Sequence, residues 1–490
     1  MTNEGQLVSD FAAIVGPAAV LSGDDDLAYF STDLSFEPLE LADVVVRPAS
    51  VEELQSVVRV AYERGLVLVP RGGGMSYTHG YTPRDRGAAI VDMRGLDRVL
   101  EINTEEMYVT VECGCTWEKL YEACRAQGVR TPFFGPVSGR FATVGGSLSQ
   151  NAVFFGSGAH GFASESVIGI DVVVAGGKLM TTGSSAFDAR SPFWRHSGPD
   201  LAGPFLGDSG ALGLKARATL RLVPFPVASE FASFAYESYA EQMASLAELA
   251  RVGIAAEIYT LDRGMHDQRV ATGFTFLDEH EFSTHLAVDA ANEAIARAQI
   301  DHLKTIGKAR GVEIDDAIPR GFRDDPFAYA EGVLLAPDGE IWLPIHAMIP
   351  FAKAVELGKR YEAFLTANRQ VLEQHKVTLT VLTLVGHTAF LFEPAFYWHD
   401  ELGQFRLDKI SPEAQERWAG IPPDPAAREL VLQLRRELTT LVDELGAVHF
   451  QIGRYYPFID ELDGPTLDLL RTIKAHVDPS NLINRGALGL

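Results

Sequence analysis

The chain has few cysteines, a shortage of positive charge and no long apolar run. Its three cysteines, Cys113, Cys115 and Cys124, are too few for a four-cysteine metal site. Cys113 and Cys115 are spaced C-x-C, no second pair completes a zinc set, and they read as small packing residues. Lysine and arginine number 42 against 66 aspartates and glutamates, a formal charge of −24. Such a surface repels a phosphate backbone, so no nucleic-acid partner is expected. No stretch approaches the apolar length that spans a bilayer. The opening residues, MTNEGQLVSDFAAIVG, lack a basic start followed by an apolar core, so the expectation is a cytoplasmic protein without a signal peptide. Neither G-x-G-x-x-G nor G-K-[ST] occurs at the glycine loop that follows a strand, which argues against a nicotinamide Rossmann domain and a P-loop. No internal repeat or low-complexity segment is visible.

A length of 490 residues exceeds one ordinary core and predicts two or three domains. Residues 1–40 read as a helical lead-in. From Asp43 strand and helix alternate: VVVRP, an amphipathic SVEELQSVVRVAYERG capped by Ser50, then LVLVP running into RGGGMSYTHG. Gly176-Gly177 marks a hairpin turn, and Pro224-Phe225-Pro226 a boundary. Residues 227–425 change character. STHLAVDAANEAIARAQIDHLKTIG reads as a long helix, and EIWLPIHAMIP and KVTLTVLTLVGHTAFLFEP as two strong strands. The expected layout is 1–225, 226–425 as a second α+β domain on an antiparallel sheet, and 426–490 as a helical tail.

Three consecutive glycines after a strand let a backbone approach an anion, and their amides can form a nest. Read alone, Arg71-Gly72-Gly73-Gly74-Met75-Ser76 is as compatible with a flexible turn. A second glycine-rich region, Gly135 to Gly161, alters that balance. It offers small and short polar residues suited to packing against a flat heterocycle.

Together VVVRPASVEELQSVV, LVPRGGGMS, TVGGSLSQNA, VIGIDVVVAGGKL and GDSGALGL resemble the FAD-binding domain of the vanillyl-alcohol oxidase / p-cresol methylhydroxylase superfamily. IKAHVDPSNLINRGAL resembles that superfamily's closing segment. The resemblance implies an α+β fold: a PCMH-type FAD-binding domain in two parts, 1–225 and the returning 426–490, with an α+β substrate-binding cap domain, 226–425, inserted on an antiparallel sheet. By position, Arg71 to Ser76 would hold the pyrophosphate. Pro136, Ser138, Thr143, Gly145, Gly146, Ser149, Asn151, Gly158 and Gly161 would line the path from adenine to flavin, with Ile168 at the adenine end. Covalent members carry histidine where Met75 stands, which implies non-covalent FAD. Arg485 replaces the proline of the closing motif.

The resemblance also directs attention to proton chemistry. The D-lactate, glycolate and D-2-hydroxyglutarate dehydrogenase branch has G-H-x-G-D-G-N-x-H, of which Gly386 and His387 remain, with Glu393 one residue short of the second histidine. In that branch's later G-E-H-G-I-G, His449 takes the place of a metal-binding glutamate. His387, Glu393 and His449 would thus manage the hydroxyl proton, and as a ligand set for Zn²⁺ or Mn²⁺ they would hold a substrate carboxylate or alkoxide. His346 and Arg454 would orient substrate. Arg454-Tyr455-Tyr456 allows another reading, a phenolate clamp like that of the phenol-oxidising branch. Phe396, Tyr397 and Trp398 read as core aromatics more readily than as a pocket wall.

The expected function is FAD-dependent oxidation of an alcohol carbon, in a 2-hydroxy acid or an aryl or benzylic alcohol, by hydride transfer to flavin N5. The alternatives are a 4-alkylphenol oxidase and, from another class, a non-catalytic flavin-binding subunit. The partners expected are a small-molecule substrate, an electron acceptor (oxygen, a quinone or a carrier protein) and a second copy in a homodimer.

Overall fold

The computed structural model describes residues 3–36, 40–188, 190–270 and 280–490. The chain divides into two compact units, Met1–Ala152 with Ala163–Pro224 and Gln451–Leu490, and Val153–Phe162 with Phe225–Phe450. The tail expected from residue 426 is therefore split. Helix Pro425–Asp443 and the following residues to Phe450 stay with the second unit. So does the short stretch Val153–Phe162.

The first unit begins with a small sheet in the order Val20–Leu21, Val44–Val46, Ala88–Asp92, Val67–Arg71. Its last three strands are parallel. They are unbroken apolar runs because both faces are covered. Val44, Val46, Leu68 and Val91 point into one core, and Val45, Val67, Val69 and Ile90 into the other. Helix Val51–Arg64 covers the first face with Val51, Leu54, Val57, Val58 and Ala61, the spacing of one apolar stripe. The Ser50 hydroxyl caps it by accepting from the Glu53 amide at 3.1 Å, and Gly65 ends it at φ 65. The C-terminal segment returns to this sheet. The Leu68 amide donates to Leu482 O and the Asn484 amide to Leu68 O, each at 2.7 Å. A second, antiparallel sheet of five strands runs Val99–Asn103, Tyr108–Glu112, Leu214–Arg221, Val167–Val174, Lys178–Thr181.

The second unit is built on one antiparallel sheet of eight strands. Three sequence readings are corrected here. STHLAVDAANEAIARAQIDHLKTIG is not one helix: Phe282–Ala290 is a strand, and the helix starts at Glu293 behind an Asn292 cap. The β-branched and aromatic content before Asp289 wins over helical periodicity. KVTLTVLTLVGHTAFLFEP is a hairpin, Thr378–Gly386 paired with Ala389–Trp398. EIWLPIHAMIP is two short strands, Ile341–Pro344 and Ala347–Pro350, parted at Ile345-His346. Phe396, Tyr397 and Trp398 lie in the core of this unit. No helix among the described residues is long and apolar enough to cross a membrane.

Candidate functional site

In the first unit the two glycine regions meet. Strand Val67–Arg71 ends at a buried arginine, and burial brings the Arg71 guanidinium down to about 10. Gly74 takes φ 75, a conformation open to glycine. A side chain on Gly73 would collide with the Phe141 carbonyl group, and one on Gly72 with the Thr143 side chain. The opposing wall is shaped by its own turn: Gly139 N donates to Pro136 O at 2.9 Å, and Ala142 N to Ser138 O at 2.8 Å. The Thr143 hydroxyl then caps helix Val144–Gln150 by accepting from Gly146 N. Among the described residues the amides of Gly73, Gly74 and Met75 meet no protein acceptor. A bare-backbone cradle with available N–H groups suits a pyrophosphate.

Neighbouring residues brace this cradle. Ser76 Oγ accepts from Gln150 Nε2 at 3.3 Å, a partner the motif reading missed although Gln150 sits beside Ser149 and Asn151. Ser149 O accepts from Ser209 N at 2.9 Å, and the Asn151 side chain accepts from Ser164 N at 3.2 Å. Ile168 is half-buried in strand Val167–Val174. The C-x-C pair finds its purpose here as packing: Cys113 O and Cys115 O accept from Gly145 N and Val144 N at 2.7 and 2.8 Å. A Cβ on Gly145 would come within 2.7 Å of Cys113 Cβ. Burial pushes the Cys113 thiol up to about 12, far from a reactive thiolate. Gly158 and Gly161 are placed otherwise than expected, in the second unit. Gly158 is small because it packs on the backbone of Ala255 and Ala256, and Gly161 at φ 77 ends a short helical turn.

Arg454 belongs to the first unit, where both terminal nitrogens of its guanidinium are engaged. Nη1 donates to His79 O at 2.5 Å and to Thr82 O at 3.0 Å. Nη2 donates to Asn484 Oδ1 and Arg485 O, both at 2.9 Å. This fork ties the loop after the glycine cradle to the closing segment. Burial brings the Arg454 guanidinium down to about 10. Tyr456 is core, packed with Ala211, Ile452, Ala487 and Leu488, and Tyr455 packs against the same cluster. The three residues expected to clamp a phenolate therefore serve the architecture of this unit.

The second unit holds the acid–base candidates. Glu393, on strand Ala389–Trp398, accepts from or shares a proton with His346 at 2.6 Å between Oε2 and Nε2. The His346 side chain is 4% exposed and that of Glu393 15%, so Glu393 is the more accessible partner. Phe450 stacks on the imidazole at 5.1 Å, with planes 7° apart. His449 lies behind this pair. Its Nδ1 bonds to His346 O at 2.8 Å and its Nε2 to Asp443 at 2.7 Å. Asp443, six residues earlier on helix Pro425–Asp443, was not foreseen as a partner. His387 is elsewhere: it sits exposed at φ 59 in the turn of the hairpin. Among the described residues no group of three His, Cys, Asp or Glu side chains gathers as a metal site. The set His387, Glu393 and His449 is thus not assembled, because the turn carries His387 away and Asp443 engages His449.

Residues 42–183 match the family described as "FAD binding domain". Glycolate oxidase subunit GlcD of Bacillus subtilis strain 168 is 28% identical over 210 residues, 43% of this chain and 43% of that one. The probable mitochondrial D-lactate dehydrogenase of Danio rerio is 28% identical over 249 residues, 51% of this chain and 49% of that one. The chain thus matches about half the length of these curated relatives. A solved structure of p-cresol methylhydroxylase with substrate bound superposes with a TM-score of 0.74 at 16% identity, covering 100% of this chain and 98% of that one. The chain therefore carries an FAD-binding domain in the two-part PCMH-type fold, with the antiparallel α+β unit inserted.

The cradle yields a direct prediction. Gly73→Ala places a methyl group against the Phe141 carbonyl carbon, 2.7 Å away. Overpacking of that kind costs about 1–3 kcal/mol, so FAD affinity falls roughly tenfold or more. Fluorescence titration of apoprotein with FAD measures this. Unchanged affinity would remove the cradle from the cofactor site.

Proposed function

We propose that the chain is an FAD-dependent oxidoreductase that oxidises the alcohol carbon of a small 2-hydroxy acid or of an aryl or benzylic alcohol. The reading rests on one observation above the others, the part-buried His346–Glu393 pair at 2.6 Å. When bound, FAD supplies the hydride acceptor. Gly72 to Ser76 would hold its pyrophosphate, and Thr143 to Asn151 the rest of the cofactor's length. Loss of hydride from a carbinol must be matched by loss of the hydroxyl proton. A carboxylate hydrogen-bonded to an imidazole is suited to take it. Glu393, as the more accessible partner, receives the proton, and His346 disperses the charge. Phe450 and the His449 contact to His346 O hold the pair in place. The proposal assigns the proton to this pair instead of to a Zn²⁺- or Mn²⁺-bound alkoxide, since His387 and His449 are not gathered with Glu393.

The names of the relatives, glycolate oxidase subunit and D-lactate dehydrogenase, favour a 2-hydroxy acid as the first substrate class to try. The phenol reading loses its clamp, because Arg454 is engaged by four acceptors of its own unit. Anaerobic titration of the purified flavoprotein with glycolate, D-lactate, benzyl alcohol and 4-ethylphenol tests the proposal. Bleaching of the flavin band by an alcohol or hydroxy acid is the expected result. Protein that holds FAD and bleaches with none of them would be a binding subunit. Bleaching by the alkylphenol alone would favour the phenol oxidase.

FAD attachment is read as non-covalent, because Met75 offers no imidazole for an 8α link. Acid precipitation is expected to leave the flavin in the supernatant. A yellow pellet would show a covalent bond from another residue.

A further inference from the structure

One buried acceptor stands beside the glycine cradle without a donor among the described residues. Gln150, the last residue of helix Val144–Gln150, is 8% exposed, and its Oε1 meets no hydrogen-bond donor there. A carboxamide oxygen withdrawn from water and left unpaired is costly. Folded proteins rarely keep such an atom unless a partner arrives to use it.

The side chain is aimed, not loose. Nε2 donates to Ser76 Oγ at 3.3 Å. Ser76 Oγ also accepts from the Thr78 amide at 3.3 Å, and it lies 3.4 Å from Thr78 Oγ1, which is placed to take its proton. Ser76 therefore meets the amino edge of the carboxamide, and Oε1 is turned away from it. Gly80 walls the group on another side. A Cβ there would lie 3.5 Å from Gln150 Nε2, 3.8 Å from Ser76 Oγ and 3.2 Å from Gly453 Cα. All of these residues belong to the first unit.

The polarity of the surface changes at this point. From Gly73 to Met75 the cradle offers backbone N–H groups, which suit the anionic pyrophosphate. Next to it, across Ser76, stands the Gln150 acceptor. A pyrophosphate has no hydrogen to give that oxygen. FAD carries its donors on either side of the pyrophosphate. They are the ribityl hydroxyls and ring N3–H of the flavin half, and the ribose hydroxyls and amino group of the adenosine half. A donating backbone followed by an accepting side chain is the complement of that order of anion and donor.

We infer that Gln150 is a cofactor-binding residue whose Oε1 accepts a hydrogen bond from a hydroxyl or N–H group of FAD. The inference rests on the FAD site described above and is independent of the alcohol substrate. Titrations of apoprotein test it, with FAD, FMN, ADP and inorganic pyrophosphate as ligands. The parent is compared with Gln150→Met, whose side chain has nearly the same length and no acceptor oxygen, and with Gln150→Leu as a second variant. FAD affinity is expected to fall roughly three- to tenfold in both, the effect of one hydrogen bond between neutral groups, while pyrophosphate affinity stays at the parental value. The same loss with FMN and not with ADP places the donor on the flavin half, and the reverse places it on the adenosine half. Unchanged FAD affinity overturns the inference. An equal loss for pyrophosphate also overturns it, since Gln150 would then only brace Ser76. Retained pyrophosphate binding and thermal melting of the apoproteins show that the cradle of each variant is folded. A parent that takes up no FAD would sink the cofactor site itself, a different failure from a parent and variants that bind FAD alike.

Discussion

His346→Gln and Glu393→Gln should each lower kcat for alcohol oxidation by roughly 10²–10³-fold while the protein keeps its flavin, the range expected when a positioned acid–base group is lost. The geometry makes the two members interdependent. His346 is stacked on Phe450 and bonded to Glu393, so the imidazole has one orientation available. Glutamine at 393 preserves the shape and one hydrogen bond but cannot hold the proton. If the pair moves the hydroxyl proton, the double variant should be little worse than either single one, because groups acting as a unit are not additive. A merely structural pair gives a different pattern: altered melting, additive losses in the double variant and kcat within a few-fold of the parent. That pattern would sink the assignment while leaving the flavin reading intact.

Arg454→Ala should destabilise the first unit by about 3 kcal/mol, with loss of FAD following from loss of structure. Four acceptors lose their donor at once, namely His79 O, Thr82 O, Asn484 Oδ1 and Arg485 O. Three of these are backbone carbonyls in segments far apart in sequence, so no local rearrangement can satisfy them together. Arg454→Lys should recover little, since an ammonium cannot reproduce a planar fork. Urea unfolding followed by flavin fluorescence measures both. A variant of unchanged stability that has lost turnover would return Arg454 to the role of substrate clamp.

The flavin domain was legible because its constraints are local. Glycines 72 to 74 follow a strand, and the need for a bare backbone is written in consecutive positions. Continuous apolar runs such as VVV and LVLVP announce strands covered on both faces, which is how they pack. The Ser50 cap and Gly65 stop are readable for the same reason. The cap domain was less legible. The hairpin Thr378 to Trp398 reverses within a short Gly386-His387-Thr388 break between two strongly apolar stretches, so it reads as one strand. The segment from Phe282 carries alanines that mimic helix periodicity, yet cross-strand partners on both sides claim it for the sheet.

By itself the sequence determined that a run of three glycines follows the strand ending at Arg71, and that the pattern changes to a histidine-rich α+β stretch after Pro226. Those are properties of neighbours in the chain. Which side chains face each other was decided only by tertiary structure. His346 and Glu393 are 47 residues apart and meet because two strands pair in register beside a break at Ile345-His346. His387, which motif spacing favoured, is removed by the turn that spacing cannot show. Arg454 is claimed by carbonyls more than 370 residues away as well as by the nearby closing segment, since its two terminal nitrogens take acceptors wherever the fold supplies them.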